Sequence, residues 1–123
     1  MSLTSTEETP RRGLPVIDEN TPPEEIDRIA SSAEAAAAFL KALGHEGRLM
    51  ILCHLVTGEK SVTELERLLG SRQAAVSQQL ARLRLEGLVQ PRRDGKAIFY
   101  SLADDRPRAI LEVVYELFCH RED

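Results

Sequence analysis

The residues from Ser61 to Leu102 leave few folds open to this chain. Ser61-Val62-Thr63-Glu64 has the form of a capping box, in which the Ser and Glu side chains each satisfy the other's backbone N–H. It opens a short helix that Gly70 stops. After the turn Leu69-Gly70-Ser71, with Ser71 as N-cap, a second helix over about 72–86 carries Val76, Leu80 and Leu83 at spacings of four and three and closes at Gly87. Two β-rich runs, 88–93 and 96–102, flank Asp94-Gly95, a strong two-residue hairpin signal. Two helices at a tight turn followed by a hairpin predict a helix-turn-helix with a β wing.

The flanks read as helices. Thr21 as N-cap, Pro22 and Pro23, and the acids Glu24 and Glu25 start one that runs to about Leu43 and is stopped by Gly44. Its Ile26, Ile29, Ala30, Ala33, Ala37 and Leu40 form a stripe in which the alanines allow close helix–helix approach. Helix 2 covers about His45 to Val56 with Leu49, Leu52, Cys53 and Val56 on one face, and 57–60 is a turn. Asp104-Asp105-Arg106-Pro107 begins the last helix, whose stripe is Ile110, Leu111, Val114, Leu117 and Phe118, ending near His120. At 123 residues the chain has room for one domain. The expected fold class is mainly α (α+β): five helices and a hairpin wing over 22–123, after a disordered or loosely attached tail over 1–21.

Composition removes several functions. No apolar run approaches the roughly 20 residues of a membrane span, and the polar, acidic N-terminus shows no secretory signal, so a cytoplasmic protein without a membrane partner is expected. With no Trp and 4% aromatic residues, a stacking platform for single strands is disfavoured. No paired carboxylates, Gly-rich phosphate loop or nucleophile motif points to an enzyme, and no cofactor is called for. The net charge of −4 hides an uneven distribution. Residues 71–100 carry Arg72, Arg82, Arg84, Arg92, Arg93 and Lys96 against Glu86 and Asp94, a local +4.

That basic stretch coincides with the helix-turn-helix and wing, which points to double-stranded DNA. With Val76, Leu80 and Leu83 inward, the helix over 72–86 displays Arg72, Gln73, Ser77, Gln78 and Arg82 for phosphates and base edges. A Gln amide pairs donor and acceptor as adenine does in the major groove. Arg92, Arg93 and Lys96 flank the hairpin turn, where a wing meets phosphates or a minor groove.

Over about 35–120 the sequence resembles the ArsR/SmtB family of bacterial repressors. The resemblance is carried by 39–52 (FLKALGHEGRLMIL), by 75–89 (AVSQQLARLRLEGLV) and by the wing. It implies a homodimer built on the first and last helices, whose stripes at Ile26, Ile29, Ala33 and Ala37 and at Ile110, Val114 and Leu117 suit that use, presenting paired reading helices to a near-palindromic operator.

Family members differ in what releases them. The arsenic and cadmium sensors look different, because 62–69 holds no Cys. The zinc sensors with ligands on the last helix fit poorly, since Asp104, Asp105 and His120 lack a second His at a chelating spacing. Cys53-His54 and Cys119-His120 are adjacent pairs whose side chains point about 100° apart on a helix, which disfavours joint metal binding, and no metal site is assigned. His45, His54 and His120 receive no role, and Tyr115 fits the core as well as a reactive-sulfur pocket. The positions and flanks of Cys53 and Cys119 resemble the sulfide- and persulfide-responsive branch of the family. That resemblance implies a redox-sensing dithiol which a small-molecule persulfide inducer bridges, lowering operator affinity. A metal-responsive repressor, or a redox-insensitive regulator whose cysteines are small buried hydrophobes, stays open.

Overall fold

The computed structural model describes residues 16–70 and 72–119, without the Gln73 side chain. Their order is α1 (Pro23–Leu43), α2 (Glu46–Leu55), β1 (Lys60–Ser61), α3 (Val62–Leu69), α4 (Gln73–Leu85), β2 (Val89–Asp94), β3 (Ala97–Leu102), α5 (Arg106–Val114) and a π-helical turn (Tyr115–Cys119). Contacts divide the chain into two units, 1–35 and 36–123. Among the described residues no helix is long and apolar enough to cross a membrane.

In the first unit Thr21 does not cap α1. Its hydroxyl accepts the Asp18 N–H at 2.9 Å, closing a turn over the last residues expected to be tail, and the Glu25 and Ile26 N–H groups both bond the Pro22 carbonyl at 3.0 Å. The helix begins at Pro23, where a missing N–H costs nothing.

The second unit is the winged helix-turn-helix. Helix α2 starts one residue later than expected because His45 is its N-cap: the ring Nδ1 accepts from the Gly47 N–H at 3.0 Å and the Arg48 N–H at 3.4 Å. A Cβ on Gly47 would stand 3.1 Å from His45 Cε1, so a side chain there would press on the capping ring. The capping box opens α3, with the Glu64 N–H bonding Ser61 Oγ at 3.0 Å, and Gly70 ends it at φ +67°. The N-cap of α4 is Arg72, which makes no side-chain capping bond; the expected cap, Ser71, lies outside the described residues, as do His120 and residues 1–15. Gly87 at φ +78° turns the chain out of α4, and the Leu88 N–H returns to the Leu83 carbonyl at 2.9 Å.

The hairpin pairs Val89 with Leu102 through Asp94 with Ala97, so its two loop residues are Gly95-Lys96 rather than Asp94-Gly95. Gly95 takes φ +65°, which a two-residue turn needs and L side chains resist. The segment expected to be only a turn before α3 supplies a third strand: Lys60 pairs with Tyr100 and Ser61 with Phe99, giving the order β1-β3-β2. Two residues are too few for a periodic signal.

One core joins these elements. Ile51, Leu52 and Leu55 of α2, Leu65 of α3, Val76, Leu80 and Leu83 of α4, Leu88, Val89 and Leu111 are buried together with Ala42 and Leu43. Of the face expected on α2, Leu52 is buried, Leu49 and Val56 are half-buried, and Cys53 is exposed, because the helix turns Ile51 and Leu55 inward instead. Helix α5 stops at Val114, where the π turn replaces the expected continuous helix.

Candidate nucleic-acid interface and thiol pair

With Val76, Leu80 and Leu83 between 0 and 2% exposed, the opposite side of α4 has to face solvent. Ser77 and Gln78 are exposed there, as is Arg72 at the helix start. Gln73 is the first residue of the helix. Arg82 is half-buried, with Nε 3.4 Å from Glu86 Oε2 one turn on, which leaves it less available than its sequence position suggested.

Arg48 of α2 links α4 to the end of α1. Its Nε donates to the Ala42 carbonyl at 2.6 Å, one terminal nitrogen to the Lys41 carbonyl at 3.3 Å, and the other to Gln79 Oε1 at 3.0 Å. Sequence reading missed this clamp, since an Arg on a helix surface has no local signature of its partner. It also separates Gln79 from its neighbour: Gln79 is tied inward while Gln78 points out.

The wing divides its cations. Arg93 and Lys96 are exposed, Lys96 at the loop itself. Arg92 is engaged within the protein: Nε and one terminal nitrogen each donate to a Glu59 carboxylate oxygen at 2.8 Å, and the guanidinium stacks over Phe99 with its carbon 4.9 Å from the ring centre. The bidentate bond holds the Glu59 carboxyl below the usual carboxylate range and raises Arg92. Arg92 therefore braces the wing against the segment that precedes β1. Arg84, which sequence reading counted as charge but did not assign, is exposed on α4 and lines a surface hollow with Pro91, Arg93, Ile98 and Tyr100.

Both cysteines are unbridged and exposed. Burial pushes the Cys53 thiol pKa up, and the nearby Cys119 thiol pushes it further, so α2 and the π turn bring the two sulfurs into one electrostatic neighbourhood. Cys53 also lines a cavity of about 380 Å³ with Val56, Arg108, Leu111, Glu112, Tyr115 and Glu116. Among the described residues no group of three or more His, Cys, Asp or Glu side chains gathers as a metal site. Of the residues expected at a subunit contact, Ile29, Ile110 and Val114 are half-buried, whereas Ala33, Ala37, Ile26 at 38% and Leu117 at 70% are exposed.

Residues 45–90, from the His45 cap to the start of β2, match the family model described as bacterial regulatory protein, arsR family. A biofilm growth-associated repressor of Agrobacterium fabrum is 47% identical over 91 residues, which cover 74% of this chain and 78% of that protein. The transcriptional activator HlyU of Vibrio cholerae is 38% identical over 97 residues, 79% of this chain and 90% of its own. Among solved structures, the transcriptional repressor BigR from Xylella fastidiosa aligns with a TM-score of 0.70 at 40% identity, over 82% of this chain and 100% of that one. Reduced HlyU from Vibrio cholerae aligns with a TM-score of 0.71 at 39% identity, over 76% and 98%.

The thiolate is the species that alkylates, and both influences on Cys53 disfavour it. The rate of iodoacetamide labelling at Cys53 is expected to reach half-maximum at a higher pH than that of glutathione, and Cys119→Ser should move the midpoint down by removing a neighbouring negative charge. Peptide mass spectrometry across a pH series measures both; a midpoint below that of glutathione contradicts this account.

Proposed function

The chain belongs to the arsR family of bacterial regulatory proteins, and from that premise we propose that it is a dithiol-based transcriptional repressor. It binds double-stranded operator DNA while Cys53 and Cys119 are reduced and lets go when persulfide sulfur bridges them. The observation that carries this reading is the placement of two solvent-accessible thiols, on α2 and on the turn after α5, where the charge of one acts on the other. The repressor sense rests on the relatives named as repressors; HlyU is named as an activator. DNA binding places the protein in the cytoplasm, and the role is regulatory rather than catalytic.

The chemistry closes without an outside oxidant. A Cys thiolate attacks the terminal sulfur of an organic persulfide RSSH, forming an S–S bond and expelling RS⁻. A second transfer adds a second sulfur, and the other Cys thiolate then attacks the inner added sulfur and expels HS⁻. Two protein thiols and two RSSH become one trisulfide, two RSH and one H₂S; sulfane sulfur is the oxidant and leaves reduced as H₂S. A bridge with added sulfur spans further than the ~2.05 Å of a disulfide, which favours persulfides over peroxides as inducers. Because α2 packs into the same core as α4, a link from Cys53 to Cys119 strains the support of the reading helix.

For DNA, we assign base reading to Gln73, Ser77 and Gln78, and phosphate contact to Arg72, Arg93 and Lys96, with Arg82 and Arg92 acting partly through their pairs with Glu86 and Glu59. Gln78→Ala should cost about 1–3 kcal/mol on operator and relax preference at one base pair, while Arg93→Ala should weaken all sequences alike and lower the salt slope by about one. Binding titrations over a salt series on operator and random DNA separate the two, and equal losses on both for Gln78→Ala would sink the assignment.

Two subunits are needed to present paired α4 helices, and we assign the contact to Ile26, Ile29, Ala33 and Ala37 of α1 with Ile110, Val114 and Leu117. Sedimentation should show a dimer at micromolar concentration that Val114→Glu dissociates; a monomeric parent protein overturns this.

Cys53→Ser and Cys119→Ser should each bind operator like the parent and each fail to release it on treatment with glutathione persulfide. Electrophoretic mobility shift with intact-mass analysis is the check. The dithiol reading is wrong if either variant is released normally, or if zinc releases the parent while persulfide does not.

A further inference from the structure

The cavity beside Cys53 is built from one face of the last helix. Arg108, Leu111, Glu112, Tyr115 and Glu116 follow each other at spacings of three, one, three and one, and they stand against Val56 and Cys53 of the α2 end. Buried Leu111 and half-buried Val56 give it an apolar floor, while charge of both signs lines its walls. Its volume of about 380 Å³ lies within the range of small-molecule sites.

The two charges are held apart. Arg108 and Glu112 sit one turn apart, the spacing of a helical ion pair, yet the Arg108 guanidinium donates to the Val56 carbonyl at 3.0 Å and no ion pair joins it to Glu112. One of five guanidinium N–H donors is used in that bond. The cavity thus offers a cation, the carboxylates of Glu112 and Glu116, an apolar floor and a thiol.

A ligand with only a carboxylate would meet Arg108 but also the field of Glu112 and Glu116; one with only an ammonium would meet Glu112 but also the guanidinium. A short zwitterion satisfies both. We infer that this cavity is the inducer subsite and that it selects persulfides bearing an α-amino-acid headgroup, of which cysteine persulfide is the smallest, with Arg108 receiving the carboxylate, Glu112 the ammonium, and the sulfane sulfur directed at Cys53. The inference rests on the dithiol reading and adds its substrate class. In the first step the Cys53 thiolate bonds the terminal sulfur, the S–S bond of cysteine persulfide breaks, and cysteine thiolate leaves and takes a proton from water. Arg108 and Glu112 touch the inducer's headgroup and not its reacting atoms, so they act as specificity residues.

The test compares four donors on the full-length reduced protein: cysteine persulfide, cysteamine persulfide with the ammonium alone, 3-mercaptopropionate persulfide with the carboxylate alone, and hydrogen disulfide with neither. Rates of sulfur addition are read by intact mass and assigned to Cys53 by peptide mapping. Cysteine persulfide should react about tenfold faster than each of the others, the scale of one charge-assisted hydrogen bond. Arg108→Gln and Glu112→Gln should each bring the ratio of the cysteine persulfide rate to the hydrogen disulfide rate down to about one. Equal rates for all four donors, or a ratio that either variant leaves unchanged, overturn the subsite and leave the dithiol sensor standing. Sulfur addition by none of the four overturns both.

Discussion

The outward face of α4 exists as a surface because its inward face is buried. Val76, Leu80 and Leu83 pack with Ile51, Leu52, Leu55, Leu65 and Leu88, and full burial of one such side chain stabilises by roughly 1.5–3 kcal/mol. An exposed ion pair contributes about 0–1 kcal/mol, so the core and not the surface charge sets where the helix lies. Arg48 then ties α4 to the end of α1, donating to the Ala42 and Lys41 carbonyls and to Gln79 Oε1. Leu88 and Val89 belong to the same core, which attaches the wing to α4 directly.

Charge works on top of that frame. The chain carries −4 in total, while its cations concentrate on α4 and the wing, where a polyanion is the natural complement. Not every cation there is offered outward. Arg92 bonds Glu59 through two 2.8 Å contacts and holds that carboxyl low, so the brace is present at neutral pH and fades only as pH falls through the depressed Glu59 value. Such a brace ties β2 to the segment before β1, while Arg93 and Lys96 stay exposed to solvent.

At the other side of the second unit, the π turn alters what α5 presents. Bonds from i to i+5 widen the helix at Tyr115–Cys119, which shifts the residues beyond Val114 relative to a continuous α-helix. Leu117 is 70% and Phe118 80% exposed, and the Cys119 thiol raises the Cys53 pKa. Irregular helical turns of this kind often occur where function needs a side chain re-aimed. Cys119 is the last residue of this turn.

Much of this protein was determined by its sequence alone, wherever the cause is local. The Ser61–Glu64 capping box, the stops at Gly70 and Gly87 and the 76-80-83 spacing each act within a few residues and each is where the residues placed it, while the hairpin turn is displaced by one residue, to Gly95-Lys96. The basic stretch could likewise be read directly. The tertiary structure decided what depends on residues distant in the chain: strand β1, formed only because Lys60 and Ser61 meet Tyr100 and Phe99; the division between Gln78 and Gln79, made by Arg48; the engagement of Arg92 by Glu59; and the exposure of Cys53, which a helical wheel placed on the apolar side. Periodicity says which residues share a face of one helix, but only packing against other elements decides which face is covered, and the partners of a long polar side chain leave no trace in its neighbours along the chain.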